Sequence, residues 1–249
     1  MLRLVKFAKN LFFAIPATLL LQPFARFFWF IYYFNHLLNW IRKNKSRFEH
    51  HDFFSMRRDY SKREQLYRFI SDRFNLATSE ILYLEFGVAS GISFRWWMHN
   101  NQHPSSTFIG FDTFEGLPED WGGIYDKGAM RSDAPSIPDG RGRFVKGLFQ
   151  DTLVPFIREY RHQLEQPIRK VIHLDADLYS ATIFTLAQLY PYLRTDDLIL
   201  FDEFNVPLHE YKAFIEFSET YYTKLIPLAG VNNFYQAAFR VGELRSPLP

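Results

Sequence analysis

A chain of 249 residues with 47% apolar side chains is long enough to bury one sizeable α/β core. The absence of cysteine excludes a disulfide framework, a thiolate metal site and a cysteine nucleophile, and fits a reducing compartment such as the cytoplasm. The net charge of +2 hides an asymmetry: residues 1–48 hold eight basic and no acidic side chains, leaving 21 basic against 27 acidic, or −6, in the rest. The basic balance therefore reports on an N-terminal appendage, and no nucleic-acid partner is expected.

From Leu11 to Trp40 the sequence is almost wholly apolar and aromatic, with basic residues on both sides. A spanning helix needs roughly 20 apolar residues, and Pro16, Pro23 and Arg26 interrupt this stretch. A charge at the bilayer centre costs about 2.5–3.5 kcal/mol. Residues 1–45 are thus expected as two short segments, broken near Pro23, lying at the inner surface of a membrane. Packing on the body or on a second subunit (a homo-oligomer), or a cleaved targeting segment, are the alternatives. Residues 46–59 read as a linker, with His50 and His51 a solvated pair. Ser61 and Glu64 have capping-box spacing and predict a helix through Phe74.

Elements then alternate over residues 60–249: strand 81–86, helix 92–101, strand 107–112, strand 143–146, helix 151–163, strand 170–175, helix 179–193, strand 197–202 and helix 208–222. Two short strands, Lys224–Leu228 and Phe234–Val241, flank a hairpin-like turn at Val231-Asn232-Asn233. This order implies a mainly parallel sheet with an antiparallel C-terminal hairpin and helices on both faces.

The first strand carries Glu85 and runs into Gly87-Val88-Ala89-Ser90-Gly91, with Ser93 opening the next helix; the second strand ends in Asp112 and Thr113. Strand, glycine turn, helix, strand, acid is the arrangement by which open α/β sheets bind an adenosyl cofactor. The turn is G-x-x-x-G and lacks the G-x-G-x-x-G spacing that cradles a pyrophosphate. It suits S-adenosylmethionine, whose sulfonium and ammonium favour a carboxylate such as Glu85, better than a dinucleotide; an NAD-dependent oxidoreductase is the alternative. Residues 113–142, rich in Gly, Pro and Asp, leave the carboxyl end of the second strand as a lid-like loop.

His173-Leu174-Asp175-Ala176-Asp177 and Phe201-Asp202-Glu203 end two further strands. Neighbouring strands would bring Asp175 and Asp202, with Glu203, to one edge, where an all-oxygen set selects Mg²⁺ or Ca²⁺. Hydrogen bonding to loop amides without metal is the other reading of these acids. Asp177 is expected to cap the following helix, His173 to be a satisfied core residue, Asp151 to be a helix cap or an adenine-side contact, and His209 to act as a general base or to be structural.

Together, Leu84-Glu85-Phe86-Gly87-Val88, Gly110-Phe111-Asp112-Thr113-Phe114-Glu115-Gly116-Leu117-Pro118, Gly147-x-Phe149, Leu174-Asp175-Ala176-Asp177-Leu178-Tyr179 and Phe201-Asp202-Glu203-Phe204 resemble the macrocin-type O-methyltransferases. The resemblance covers about residues 60–242. It implies a seven-stranded, Rossmann-like class I methyltransferase fold, S-adenosylmethionine as cofactor, and a small-molecule or glycan hydroxyl as acceptor. It further implies cofactor roles for Glu85, Gly87 and Asp112, and a Mg²⁺ site at Asp175, Asp202 and Glu203. The chain has Ala176 and Glu203 where the family commonly has Gly and Asp. Asp175 and His209 are the candidate catalytic residues; a non-catalytic, membrane-associated binding module of the same fold is the remaining alternative.

Overall fold

A computed structural model of the chain describes residues 1–14, 22–121 and 125–244; Pro16, singled out above, and positions 122–124 of the 113–142 loop lie outside them. The strands are β1 His50–His51, β2 Ile81–Phe86, β3 Thr107–Asp112, β4 Gly142–Lys146, β5 Arg169–Leu174, β6 Leu198–Phe201, β7 Leu225–Val231 and β8 Gln236–Val241. They form one sheet in the order β1-β7-β8-β6-β5-β2-β3-β4. Pairing is parallel except along β8, which runs antiparallel to both β6 and β7. Eight strands replace the seven implied by the resemblance. The extra one is the edge strand β1, drawn from the segment read as a linker, with His50 opposite Ala229 and His51 opposite Gly230.

The helices are α1 Leu2–Ala14, α2 Ala25–Asn44, α3 Lys62–Arg73, α4 Ile92–Asn100, α5 Phe149–Glu159, α6 Arg161–Leu164, α7 Tyr179–Leu189 and α8 Glu210–Thr220. The single helix expected over 151–163 breaks at Tyr160 into α5 and α6, and α7 gives way to a 3₁₀ turn at Tyr190–Tyr192 that contains Pro191. The capping box before α3 does not form: Ser61 is helical and makes no side-chain cap. Asp59 turns the chain instead, its Oδ1 accepting the Ser61 N–H at 2.9 Å.

Central strands read as continuous apolar runs because both faces of a parallel sheet are covered. Successive residues face opposite ways. Leu82, Leu84 and Phe86 of β2 join Ile172, Ile199 and Phe239 under α5, α7 and α8. Ile81, Tyr83, Val171 and Leu200 join the other layer under α3 and α4. The chain leaves β2 toward β3 and β4 on one side, then returns to β5 and β6 on the other. The crevice outside the carboxyl ends of β2 and β5 is therefore the topological switch point, where open α/β sheets bind ligands.

The appendage divides in two. In the C-terminal half of α2, Leu37 and Ile41 are buried, and the Trp40 ring lies 5.2–6.3 Å from the rings of Phe204, Tyr211, Phe214 and Phe239. His36 Nδ1 and Tyr211 Oη share a 2.7 Å hydrogen bond, and the Tyr33 hydroxyl donates to Glu216 at 2.7 Å. The N-terminal half and α1 are exposed, presenting Phe24, Phe27, Phe28, Trp29, Ile31 and Tyr32 to solvent. Among the described residues no helix is long and apolar enough to cross a membrane. A 3₁₀ turn at Gln22–Phe24, which contains Pro23, precedes α2.

The 46–59 segment is also fastened to the C-terminal hairpin. Asp52 accepts the N–H groups of Asn232 and Asn233, both at 3.1 Å, and an ion pair from Lys62 at 2.7 Å. The turn itself uses three residues with positive φ, Asn232, Asn233 and Phe234.

Candidate functional site

At the carboxyl end of β2, Gly87 has a φ of +92°, and a Cβ there would lie 1.7 Å from the Asp175 carbonyl oxygen. No side chain fits, so the backbone of the turn lies directly against the end of β5. Asp112 then fixes the turn from the other side. Its Oδ2 accepts the N–H groups of Val88 (2.7 Å) and Ala89 (2.8 Å), and its Oδ1 accepts that of Phe114 (2.7 Å). Charge-assisted bonds of this kind are about twice as strong as neutral ones. Gly87, Ala89, Asp112, Thr113 and Asp175 line one cleft together with Leu148, Phe149 and Gln150 at the start of α5. Asp151 is exposed in the first turn of α5 and is not its N-cap, which is Leu148.

Two cofactor candidates lie beneath the turn and not in the cleft wall. Glu85 is fully buried, accepting Ser93 Oγ–H at 2.5 Å and the Tyr83 hydroxyl at 2.6 Å. Burial pushes its carboxyl up to about 8, against the pull of those two donors. Ser93 is buried with it. Gly91 caps α4 with φ +73°, and a Cβ there would meet Pro135 Cγ of the long loop at 2.7 Å. Ser90 is exposed, its carbonyl accepting from Arg95 at 2.8 Å.

The described residues of the 113–142 loop are organised. The Leu117 N–H donates to Ala129 O (2.9 Å), the Gly128 N–H donates to Leu117 O (2.8 Å), and the buried Trp121 stacks on Tyr125 with centroids 5.3 Å apart. Ser180 Oγ of α7 donates to Glu119 at 2.8 Å, tying the loop to the cleft. Met130 of this loop lines the cofactor cleft and also a second cavity of about 600 Å³. Glu203, His209, Trp121, Tyr235 and Arg58 contribute to that second cavity.

Between the two lies a cluster of carboxylates: Asp175, Asp177, Asp202, Glu203 and Glu210. Burial raises each of them; repulsion between carboxylates adds to it for four, taking Asp177 to about 6 and Asp175, Glu203 and Glu210 well above the usual carboxylate range, while Arg63 and Gln236 pull Asp202 back down. Arg63 of α3 stands against one side, its Nη1 3.8 Å from Asp175 Oδ2 and 3.5 Å from Asp202 Oδ2. The Glu203 N–H donates to Glu210 Oε2 at 2.9 Å. Asp202 Oδ1, Glu203 Oε2 and Glu210 Oε1 are buried without a hydrogen-bond partner among the described residues. Orphaned carboxylate oxygens in a dry cluster are what a hard divalent cation satisfies, so the donor set fits Mg²⁺ or Ca²⁺.

The structure divides the expected metal set, however. Asp175 and Asp202 converge with His173, one donor atom from each lying within 4.8 Å of the others, whereas Glu203 meets Asp177 and Glu210. His173 is a poor ligand because both ring nitrogens are engaged. It donates from Nδ1 to the Tyr83 oxygen at 2.8 Å, since the Tyr83 proton goes to Glu85, and accepts from the Tyr67 hydroxyl at Nε2 at 3.3 Å. Burial, aided by Arg63, lowers it to about 3, so the ring is neutral. The expected core role of His173 stands.

Asp177 does not cap α7. It sits at φ +58°, buried, and the N-cap position falls to Leu178. A left-handed residue turns its carboxylate back toward Glu203 instead. His209 occupies the N-cap position of α8, with no side-chain cap bond. Its Nδ1 is buried and has no partner among the described residues, and burial, with Arg26 and Lys212 nearby, holds it below the ordinary histidine value. The residue lines the wall of the second cavity. Sequence reading missed Arg63, Glu210 and Tyr235. Arg63 and Tyr235 are distant in sequence from the acids they meet, and no local pattern marks Glu210, although it follows Glu203 by only seven residues.

Residues 84–204 match a family model described as a methyltransferase domain. No curated protein sequence matches the chain. Among solved structures, the calicheamicin methyltransferase CalS11 is similar at 21% identity, over 72% of this chain and 77% of that one, with a TM-score of 0.52. The O-methyltransferase NovP is similar at 18% identity, over 72% and 79%, with a TM-score of 0.51. At these identities the likeness is one of fold.

Proposed function

We propose that this chain, a class I S-adenosylmethionine-dependent methyltransferase by its domain and fold, is a Mg²⁺-assisted O-methyltransferase acting on a hydroxyl of a small-molecule or glycan acceptor. The observation that carries the reading is the pairing of two cavities that share Met130 and meet at the carboxylate cluster. One is walled by the glycine turn, the other by Glu203 and His209. CalS11 and NovP, by their names a calicheamicin methyltransferase and an O-methyltransferase, make an oxygen acceptor the natural choice.

S-adenosylmethionine supplies an electrophilic methyl on a sulfonium. Gly87, Ala89, Asp112 and Thr113 hold it, Asp112 through the turn it fixes, while Glu85 and Ser93 support that turn from below. Asp175 and Asp202, with Glu203 beside them, would hold Mg²⁺, which would lower the pKa of an adjacent hydroxyl. Transfer of the sulfonium methyl to the acceptor oxygen would leave the electron pair of the carbon–sulfur bond on sulfur. The hydroxyl proton would pass to His209, which lines the acceptor cavity. The loop residues Trp121 and Tyr125 exclude water, and alignment of oxygen, methyl and sulfur is worth up to about 7–11 kcal/mol in favourable cases. The exposed aromatic rings of α2 and the basic residues around them support contact with the inner surface of a membrane.

Calorimetry with S-adenosylmethionine and with NAD tests the central claim; binding of NAD in place of S-adenosylmethionine overturns it. For the metal, excess chelator is expected to abolish transfer of labelled methyl and Mg²⁺ to restore it. Turnover indifferent to chelator removes Mg²⁺ from the scheme.

A further inference from the structure

The second cavity is not built by the methyltransferase domain alone. Its wall includes Arg26, Phe27 and Phe30 from the N-terminal half of α2, the half with exposed rings. Arg58 lines it too, its guanidinium 3.5 Å from the Tyr235 ring centroid. Neither Arg26 nor Arg58 forms an ion pair among the described residues. The cavity therefore runs from Glu203 and His209 at the reacting end, past Arg26 and Arg58, the latter held by Tyr60 and Tyr235, to an exposed aromatic face. That face belongs to a segment with eight basic and no acidic residues in positions 1–48. Exposed aromatic rings beside Lys and Arg are the composition that settles at an anionic lipid–water interface.

Building on the O-methyltransferase reading, we infer that the acceptor is a phosphorylated lipid whose head group carries the hydroxyl. The hydroxyl meets Glu203 and His209, Arg26 and Arg58 take the phosphate oxygens, and the apolar chain leaves along Phe27 and Phe30 toward the bilayer. Guanidinium groups favour phosphate because their planar donors match its oxygens.

The test uses the full chain, first loaded with S-adenosylmethionine by calorimetry. It is then titrated with dodecyl phosphate, dodecyl maltoside and inorganic phosphate below micelle-forming concentrations. In parallel it is sedimented with phosphatidylcholine vesicles with and without phosphatidylglycerol. Dodecyl phosphate is expected to bind at least about tenfold more tightly than either comparison ligand, and Arg26→Ala and Arg58→Ala each to weaken it by about tenfold without changing cofactor affinity. Vesicles containing phosphatidylglycerol are expected to retain the protein, and phosphatidylcholine alone to release it. Equal binding of dodecyl maltoside or inorganic phosphate, arginine variants that bind dodecyl phosphate as the parent does, or indifference to phosphatidylglycerol overturns the inference. Failure at the cofactor-loading step instead strikes the O-methyltransferase reading, so the two failures are told apart.

Discussion

The two sides of the crevice solve opposite problems with the same chemical group. On the cofactor side, Asp112 is saturated by three backbone N–H groups and acts as a clamp on the glycine turn. On the acceptor side, Asp202 and Glu203 each keep an oxygen with no partner among the described residues, and Asp175, Asp177 and Glu210 crowd them with like charge. A satisfied carboxylate stabilises the folded chain, whereas an unsatisfied one weakens it and holds affinity in reserve for a cation. Structure is concentrated in the first and reactivity in the second.

That contrast breaks most visibly at Gly87. Gly87→Ala combines a left-handed backbone with a Cβ that has no room against Asp175 O, and is expected to cost about 3 kcal/mol or more. Urea unfolding measures it, and cofactor affinity should vanish in parallel; near-parental stability would mean the turn is softer than its geometry. Next in size is a pH effect in metal-free protein. Glu85, at about 8 in the fold against an ordinary 4.5, and Asp177, at about 6, hold protons that the unfolded chain has lost. Their contribution is complete below the ordinary carboxylate values and is lost as pH rises through the folded ones. Stability should therefore fall by on the order of a few kcal/mol between pH 4.5 and 8. Glu85→Gln should flatten the slope, and a parental slope in that variant would assign the effect elsewhere. Asp112→Asn follows: an amide offers one acceptor oxygen where three N–H groups converge, for a loss of about 1.5–3 kcal/mol with weakened cofactor binding.

The cofactor side was largely legible in the sequence because it is local. Strands 81–86 and 107–112 fall where apolar runs end at Gly87 and Asp112, and the clamp joins residues only some two dozen apart. Asp175 and Asp202 were legible too, as acids at the ends of adjacent strands. The roles of Glu85 and Asp177 were not. Glu85 looked available to a ligand, but its place on a central strand with both faces covered buries it; Asp177 looked like a cap, but its left-handed backbone turns it inward. Arg63 lies 139 residues from Asp202 in sequence, and nothing near it announces the pairing. The aromatic appendage misled differently. Composition marks Phe27 and Trp40 alike as interfacial, yet only the rings packed around Trp40 distinguish the half of α2 that belongs to the core.

The smallest expected effect is the most discriminating, because its sign differs between the two sides. Glu203→Gln keeps size and hydrogen-bonding reach, so Tyr235, whose hydroxyl donates to Glu203 at 3.1 Å, keeps an acceptor. It removes one negative charge from a buried group already repelled by Asp177, Asp175, Glu210 and Asp202. In chelator near pH 8, where the cost of ionising these acids is greatest, the variant should be more stable than the parent by on the order of 1 kcal/mol. Turnover should nevertheless fall. Added Mg²⁺ should stabilise the parent more than the variant, narrowing or reversing the difference, since a cation that binds only the folded state adds stability in proportion to its affinity. A variant less stable than the parent in chelator would show that the cluster is already satisfied. Glu203 would then resemble Asp112, and the division between a clamped side and a reactive side would not hold.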